Sequence, residues 1–306
     1  MAQRPLLSIV VFVLNAAKTL ERALTSVTRA DQPPVELIVM DGGSTDGTLD
    51  IIHRYAARIA KWRSRRDGSA AVAINEGIAC ASGEVIGLLP GDDWLERGAL
   101  QWVTEAFAAD PALAVLSCGA RFMRAQPDGS MTLVKEVVDE PALRFTMHNL
   151  VRWPLTPARF IRRAFYERFG GYNSAYLISN DLDFLIKVLR ARPKTRVLPR
   201  PVYNFEVHAG SRSLGGAPAM MREMLRGNLG VAEEHLRASG LTFAERAALL
   251  GLHGRASARL AWMHWRSGER GNGLHVMGRA MRRNWAFPLA VPLWAVHRAL
   301  RRDRLL

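Results

Sequence analysis

Two adjacent carboxylates, Asp92 and Asp93, stand near the end of the segment EVIGLLPGDDWL (84–95), after the strand-forming residues Val85, Ile86, Leu88 and Leu89 and a Pro90-Gly91 stop. Like charges side by side repel, and beside an apolar sheet their desolvation is costly unless a cation faces them. A carboxylate pair after a strand suits a hard divalent ion shared with a diphosphate, because such an ion needs only one or two protein carboxylates. Gly-Asp-Asp is also a common turn, so the pair alone leaves both readings open. A third acid, Asp41, follows VELIVM (35–40) and opens GGSTDGT, where Ser44, Asp46 and Thr48 offer caps to a helix starting near Thr48. Capping accounts for those three residues but not for Asp41, placed where a base or ribose could be met, and the turn alone leaves both readings open. Further along, Asn180-Asp181-Leu182-Asp183 opens a helical stretch after Gly170-Gly171-Tyr172. Acids in a first helical turn are favoured by the dipole, and the same position suits a general base. The last polar cluster, NFEVHAGSRSLGG (204–216), follows a predicted strand and holds His208, a residue type that standing alone is more often structural than a metal ligand, with Ser211, Arg212 and Ser213, whose types suit phosphate oxygens.

The elements that must carry these residues are legible as alternating periods. Apolar, β-branched runs at 6–14, 35–40 and 84–89 read as buried strands, and helical periods at 17–27, 48–59, 69–81 and 99–110 lie between and after them. This alternation predicts an α/β fold with a mostly parallel sheet flanked by helices, whose ligands bind beyond the carboxyl ends of the strands. Asn15, Asp41, Asp92 and Asp93 all follow predicted strands. Strand-like pieces at 114–123 and 195–207, a hairpin turn at 125–131 and a helix at 180–191 make up the middle of the chain. From about Ala217 the pattern is helical and arginine-rich, with helices predicted at 217–238, 243–268 and 272–284. The expected division is a catalytic domain over 1–215 and a helical, basic extension over 216–306, hinged near Leu214-Gly215-Gly216.

Bulk properties narrow the class. The chain has 306 residues, 49% hydrophobic and 23% charged, which allows a substantial core. Cys80 and Cys118 lack metal-ligand spacing and read as two buried free thiols in a reducing cytosol. No segment reads as a signal peptide, and none reaches the length of apolar chain that spans a bilayer. The net charge of +14 is concentrated late, with eleven arginines against two acids from Gly251 onward. Such a surface favours phosphates, whether on a nucleotide, an anionic lipid or nucleic acid.

Together these clusters resemble the family 2 glycosyltransferases of the GT-A fold. The resemblance rests on Asn15 to Leu20, Asp41-Gly42-Gly43-Ser44-Thr45-Asp46-Gly47-Thr48, Asp67, Asn75-Glu76-Gly77-Ile78, Asp92-Asp93 as the "DXD" element, and Gly170-Gly171-Tyr172 with Asn180-Asp181. It extends over about residues 6 to 215 and looks most like the bacterial subgroup that builds exopolysaccharide and lipopolysaccharide units. It implies that Asp41 contacts the nucleotide base, that Asp67 positions base or ribose, and that Asp92 meets the ribose. It further implies that Asp93 binds the Mn2+ or Mg2+ bridging the donor diphosphate, with His208 as a second ligand, and that Asp181 is the catalytic base. Asn15, Ser44 and Arg212 complete the implied nucleotide-sugar site, with a UDP-sugar as the expected donor. Asn180 departs mildly from the family, where an acid or alanine is usual. The processive "QXXRW" motif is absent, so one sugar per encounter is expected.

The segment RRNWAFPLAVPLWAVHRALRRDRLL (282–306) sets an apolar block with Trp285 and Trp294 between arginines, and Pro288 and Pro292 interrupt it. It reads as a segment lying on an anionic membrane surface, with a terminal helix packed on the catalytic domain as the alternative. The expectation is a cytoplasmic protein, peripheral on the inner face of a bacterial membrane, acting on a saccharide or lipid-diphosphate-linked acceptor. A sugar-nucleotide nucleotidyltransferase is the rival enzyme, but VLNAAKTL stands where a Gly-rich, basic loop is needed. A nucleic-acid-binding protein is the rival without catalysis, but no reading motif or interleaved aromatics accompany the basic runs.

Overall fold

The computed structural model describes residues 6–208 and 217–284. Strands β1 (Leu7–Val13), β2 (Glu36–Asp41), β3 (Lys61–Ser64) and β4 (Val85–Pro90) alternate with helices α1 (Leu20–Thr28), α2 (Thr48–Tyr55) and α3 (Ala70–Cys80). The middle of the chain holds β5 (Trp94–Leu95), α4 (Ala99–Ala108), β6 (Val115–Ala125) and β7 (Met131–Val137). Two short helices, α5 (Glu140–Leu143) and α6 (Met147–Leu150), lead to β8 (Arg159–Arg162), α7 (Arg163–Phe169), α8 (Asn180–Arg190) and β9 (Thr195–Glu206). Three helices follow: α9 (Pro218–Leu236), α10 (Phe243–Arg266) and α11 (Arg270–Arg283).

One sheet in the order β3-β2-β1-β4-β8-β6-β9-β5, with β7 beside β6, contains the nine strands of the described residues. The first four neighbours pair in parallel. Strand β8 then runs antiparallel to both β4 and β6, and β6 pairs in parallel with β9. Two reversals across β8 restore the original direction. The carboxyl ends of β1, β2, β3, β4, β6 and β9 therefore share one edge.

The strands form where β-branched and apolar residues run without interruption, as in LSIVVFV of β1, because both faces of the sheet are covered. Alternate side chains of β1 serve the two faces. Ile9, Val11 and Val13 join Leu20, Leu24, Ile52, Leu100 and Phe107 in one apolar cluster. Val10 joins Ile74 and Ile78 of α3, Leu185 of α8, Val231 of α9 and Leu252 of α10 in the other. Gly77 allows α3 to lie directly on the sheet, since a Cβ there would come within 2.4 Å of Val10 Cγ1.

The predicted strands and helices recur with shifts of a few residues at their ends, and the hairpin turn at 125–131 is present with Gly129 at φ +82°. Three strands were not anticipated. The helix expected to reach Ile59 ends at Tyr55; a single 3₁₀ turn over Ala56–Arg58 and the edge strand β3 follow. Strand β3, KWRS, is largely exposed and β8, RFIR, has four residues, so neither shows the apolar alternation that marks a strand. Strand β5 is a two-residue pairing with the end of β9. Of the two cysteines read as buried, Cys118 is buried and Cys80 only half-buried. Arg212 and the expected hinge at 214–216 lie outside the described residues, as does the tail from Trp285 onward.

Candidate functional site

The turns that follow β1 and β2 are stitched to each other by side chains. Asn15, at φ +51°, donates its N–H to Ser44 Oγ (2.7 Å), and its Oδ1 accepts from the Thr45 N–H (2.9 Å). Ala16 donates to Thr48 Oγ1 (2.9 Å) and Ala17 to Asp46 Oδ2 (3.0 Å), while Asp46 Oδ1 accepts the Thr48 N–H (3.0 Å). Asp46 thus satisfies the first N–H of α2 and ties down the approach to α1. Ser44, expected as a cap or a ligand, does not cap α2; its hydroxyl donates to Asp41 and accepts the Asn15 N–H.

Asp41 is fully buried at the end of β2. Its carboxylate accepts from the N–H groups of Gly43 and Ser44 (3.0 Å each) and from the Ser64 hydroxyl (2.5 Å), besides the Ser44 hydroxyl. Four donors on a group with about four lone-pair sites leave little for a ligand, so Asp41 shapes the loop from beneath. Asp67 reaches the same turn: Arg63 donates to its Oδ2 (3.3 Å) and to the Asp41 carbonyl (2.6 Å), and a Cβ on Gly42 would lie 3.4 Å from Asp67 Oδ1.

After β4 the two neighbouring acids point differently. Asp93 is buried, with Tyr203 Oη donating to its Oδ2 (2.7 Å) and the Glu206 N–H donating to its Oδ1 (2.8 Å). Burial, then the charge of Asp92, raises its pKa well above the usual carboxylate range, against the lowering pull of those two donors and Arg22. Asp92 is about one-third exposed, and its Oδ2 lies 3.0 Å from His208 Nε2 just past β9. The expectation gave the metal to Asp93 and the ribose to Asp92. Asp93 is buried with one internal donor on each oxygen, whereas Asp92 is the solvent-accessible carboxylate of the two and faces His208. Among the described residues no group of three or more His, Cys, Asp or Glu side chains converges. One carboxylate and one imidazole are nonetheless a sufficient protein share for a hard divalent ion whose remaining positions fall to water and phosphate.

Arg22, on α1, was not anticipated. It donates to the Asp92 carbonyl (2.9 Å), pairs with Glu206 and stacks over the Trp94 ring at 4.0 Å, so it binds the ends of β4 and β9 together. Nothing in the helical period of α1 distinguishes it from a solvated arginine.

Asp181 occupies the first turn of α8. Thr156 Oγ1 donates to its Oδ2 (2.7 Å) and the Leu182 N–H to its Oδ1 (2.7 Å). Burial raises its pKa, and those hydrogen bonds hold the rise in check. Thr156 locates Asp181 relative to the other acids. Strand β8 pairs antiparallel with β4 through Ile86↔Ile161 and Val85↔Arg162, so the residues just before β8 lie beside the carboxyl end of β4. That end carries Asp92. The loop before Asp181 is held from two sides: Asn75 of α3 accepts the Tyr172 N–H and donates to the Tyr172 carbonyl (2.8 Å each), and Ser179, at φ +76°, donates to Asn228 of α9 (2.8 Å).

The structure therefore brings Asn15, Ser44, Asp41 and Asp67 together at the ends of β1–β3, and Asp92, Asp93 and His208 at the ends of β4 and β9. It sets Asp181 on the same edge through Thr156. Arg22 and Thr156 are the residues that pattern reading missed; Thr156 lies in WPLTP, which has no period to interpret.

Residues 8–170 match the profile of glycosyl transferase family 2. The O-antigen biosynthesis protein RfbC of Myxococcus xanthus is 27% identical over 248 residues, which cover 78% of this chain and 19% of that protein. The chain spans about a fifth of the length of three such curated relatives. In fold it is similar to S. aureus TarS 1-349 in complex with UDP-GlcNAc, with TM-score 0.58, 16% identity and coverage of 90% of this chain and 91% of that one. It is also similar to the mannosyltransferase PcManGT from Pyrobaculum calidifontis in complex with GDP-Man and Mn2+, with TM-score 0.58, 19% identity and coverage of 98% and 81%.

Proposed function

The chain belongs to glycosyl transferase family 2, and from that premise we propose that it moves one sugar, with inversion, from a UDP-sugar to a hydroxyl of a saccharide or lipid-linked saccharide in bacterial cell-surface polysaccharide synthesis. The observation that carries the reading is Asp181: a carboxylate with a burial-raised pKa, oriented by Thr156 on the strand edge that also bears Asp92 and His208. The complexes of TarS with UDP-GlcNAc and of PcManGT with GDP-Man support a nucleotide-sugar donor.

In this reading Asp181 takes the proton of the acceptor hydroxyl. The acceptor oxygen bonds to the anomeric carbon from the face opposite the leaving group, and the nucleoside diphosphate departs with the electron pair of the broken bond. Raising the pKa of a carboxyl toward the working pH strengthens it as a base while leaving it ionised. Asp92 and His208 are the residues that would hold a divalent metal, which supplies neutralisation of the charge gathering on the departing diphosphate. Arg22 fixes the backbone of Asp92, and Tyr203 and Glu206 hold Asp93 as the buried support beneath it. Asp41 and Asp67 keep the turns after β2 and β3 in the shape that receives base and ribose. No described helix is long and apolar enough to cross a membrane, and the basic late chain supports peripheral binding to an anionic surface.

The test is a screen of nucleotide diphosphates and their sugars for binding, with Mn2+ and with EDTA, followed by transfer or hydrolysis assays on those that bind. Binding of UDP and its sugars that strengthens with Mn2+ is expected. If no nucleotide diphosphate binds in either condition, the reading is wrong.

A further inference from the structure

A groove of about 230 Å³ separates α6 from the first turns of α10, away from the turns that receive the nucleotide in the proposed reading. Three basic side chains line it: His148, Arg152 and Arg255. Apolar side chains line it too, among them buried Val151 and half-buried Ala248. No carboxylate lines it, and among the described residues neither arginine makes an ion pair. Arg152 meets His148 Nε2 at 3.2 Å, and Arg255 donates to the Val151 carbonyl at 3.4 Å. Arg255 reaches solvent at the rim, and its pKa is lowered first by the partial burial of its guanidinium and then by the charge of Arg152.

Several arginine clusters elsewhere are met by acids, as Arg63 is by Glu76 and Asp67, Arg121 by Glu96 and Glu136, and Arg279 and Arg283 by Glu233. Two arginines and a histidine converging without a counter-charge make a site that gains most from a multivalent anion, and planar guanidinium groups match phosphate oxygens in pairs. Arg152 precedes Thr156 by four residues, so their Cα atoms lie within about 14 Å even if the chain is fully extended. Thr156 orients Asp181. The groove is thus near Thr156, the residue that holds the proposed base.

We propose that the groove between α6 and α10 binds a diphosphate carried by the acceptor, with Arg152 and Arg255 on its oxygens, His148 adding charge when protonated, and the apolar side chains against the group attached to it. The assignment of this anion to the acceptor rests on the transferase reading; the anion site itself does not. Such a contact fixes the acceptor by its phosphate and leaves its far hydroxyl for Asp181.

The experiment uses the full chain and calorimetric titration with inorganic pyrophosphate and with geranyl diphosphate in EDTA, on the wild type, on Arg152→Gln/Arg255→Gln and on Arg152→Lys/Arg255→Lys. Because these side chains reach solvent at the rim, both variants are expected to keep the wild-type unfolding temperature. Wild-type binding of both probes, weakened about tenfold or more in the glutamine variant and largely kept in the lysine variant, is expected. Tighter binding of geranyl diphosphate than of pyrophosphate assigns the ligand to a lipid-linked diphosphate; equal binding assigns it to a soluble phosphate-bearing saccharide. Equal affinity of the wild type and the glutamine variant for both probes overturns the proposal, as does absence of binding to the wild type. UDP binding with Mn2+ on the same proteins tests the transferase reading separately. Its failure with diphosphate binding intact removes the acceptor role and leaves the anion site.

Discussion

At the scale of single residues, the two acids after β4 and the acid opening α8 have different tasks because their surroundings differ. Asp181 can act as a base only when ionised, and its pKa is raised by burial. The rate of transfer should therefore climb with pH on the acid side, with a midpoint above that of an ordinary carboxyl. Thr156 donates to the ionised form, so Thr156→Val, which keeps shape and removes the donor, raises that pKa further. Its acid limb should move to higher pH in a kcat/KM profile; a limb that stays put or moves down would exclude Asp181 as the titrating base. Asp181→Asn should lose about 10²- to 10⁴-fold in kcat with UDP binding retained. Asp92 and Asp93 should separate in a second measurement. Asp92→Asn should abolish the Mn2+-dependent gain in UDP affinity. Asp93 has a folded pKa above its unfolded one, so the stabilisation it contributes is full at acid pH and falls as pH rises through the folded value. Asp93→Asn removes that charge while its amide still serves Tyr203 and the Glu206 N–H. In metal-free buffer the melting temperature of Asp93→Asn should gain on that of the wild type as pH rises from acid to neutral. A gap that is constant or shrinks would mean that Asp93 is ionised at no cost, and hence free to hold a metal after all.

At the scale of elements, the loop that delivers Asp181 depends on a lock between α3 and the turn after α7. Gly170 and Gly171 both have positive φ, and a Cβ on Gly171 would lie 2.4 Å from Asn75 Oδ1. Asn75→Ala leaves the N–H and carbonyl of buried Tyr172 without partners and should cost about 2 kcal/mol. Gly171→Ala suffers both the left-handed backbone and the clash with Asn75. Because Asn75→Ala removes that clash, the two changes together should destabilise less than their separate effects added. Additive losses in urea unfolding would show that the turn does not depend on this lock. The edge of the sheet is legible in the sequence, but this cross-connection is not. Strands β1, β2 and β4 are uninterrupted apolar runs and α1 to α4 carry a clear period, so the places of Asn15, Asp41 and Asp92 were legible. Strand β8 is four residues long and Thr156 opens a single 3₁₀ turn (Thr156–Ala158), both too short to carry a period, so the element that brings Asp181 to the others left no pattern. The same limit explains Asp93: spacing shows two carboxylates, while their opposite orientation depends on Tyr203 and Glu206 more than 100 residues away.

At the scale of the whole molecule, the family match ends at Gly170, yet the catalytic edge is secured by what comes after it. The boundary expected at 215/216 falls among residues outside the description, and the helices beyond it share a core with the sheet. Val231 and Ala232 of α9 and Leu249 and Leu252 of α10 lie in one apolar cluster with Val10, Ile74 and Leu185. Gly227 lets α9 touch the loop before Asp181, where a Cβ would lie 2.5 Å from the Ile178 carbonyl. His235 of α9 meets buried Asp183 at 2.9 Å, opposite Lys187 at 2.7 Å. Burial pushes the Asp183 carboxyl up, but the hydrogen bonds from His235 and Lys187 win, and its pKa lies below the ordinary value. A group with a depressed folded pKa stabilises the protein above its unfolded pKa, and that share is lost as pH falls through the folded value. His235→Ala takes away one partner of a fully buried carboxylate, which should cost about 3 kcal/mol near neutral pH. The cost should shrink in acid, where Asp183 is protonated in either protein. A chain ending at residue 215 loses that partner and also uncovers the apolar faces of α3 and α8. It should fail to give a single cooperative unfolding transition, and its Asp181 loop should be open to limited proteolysis. If residues 1–215 instead unfold cooperatively and bind UDP with Mn2+ as the full chain does, the late helices are an appendage with a separate role and the shared core is dispensable.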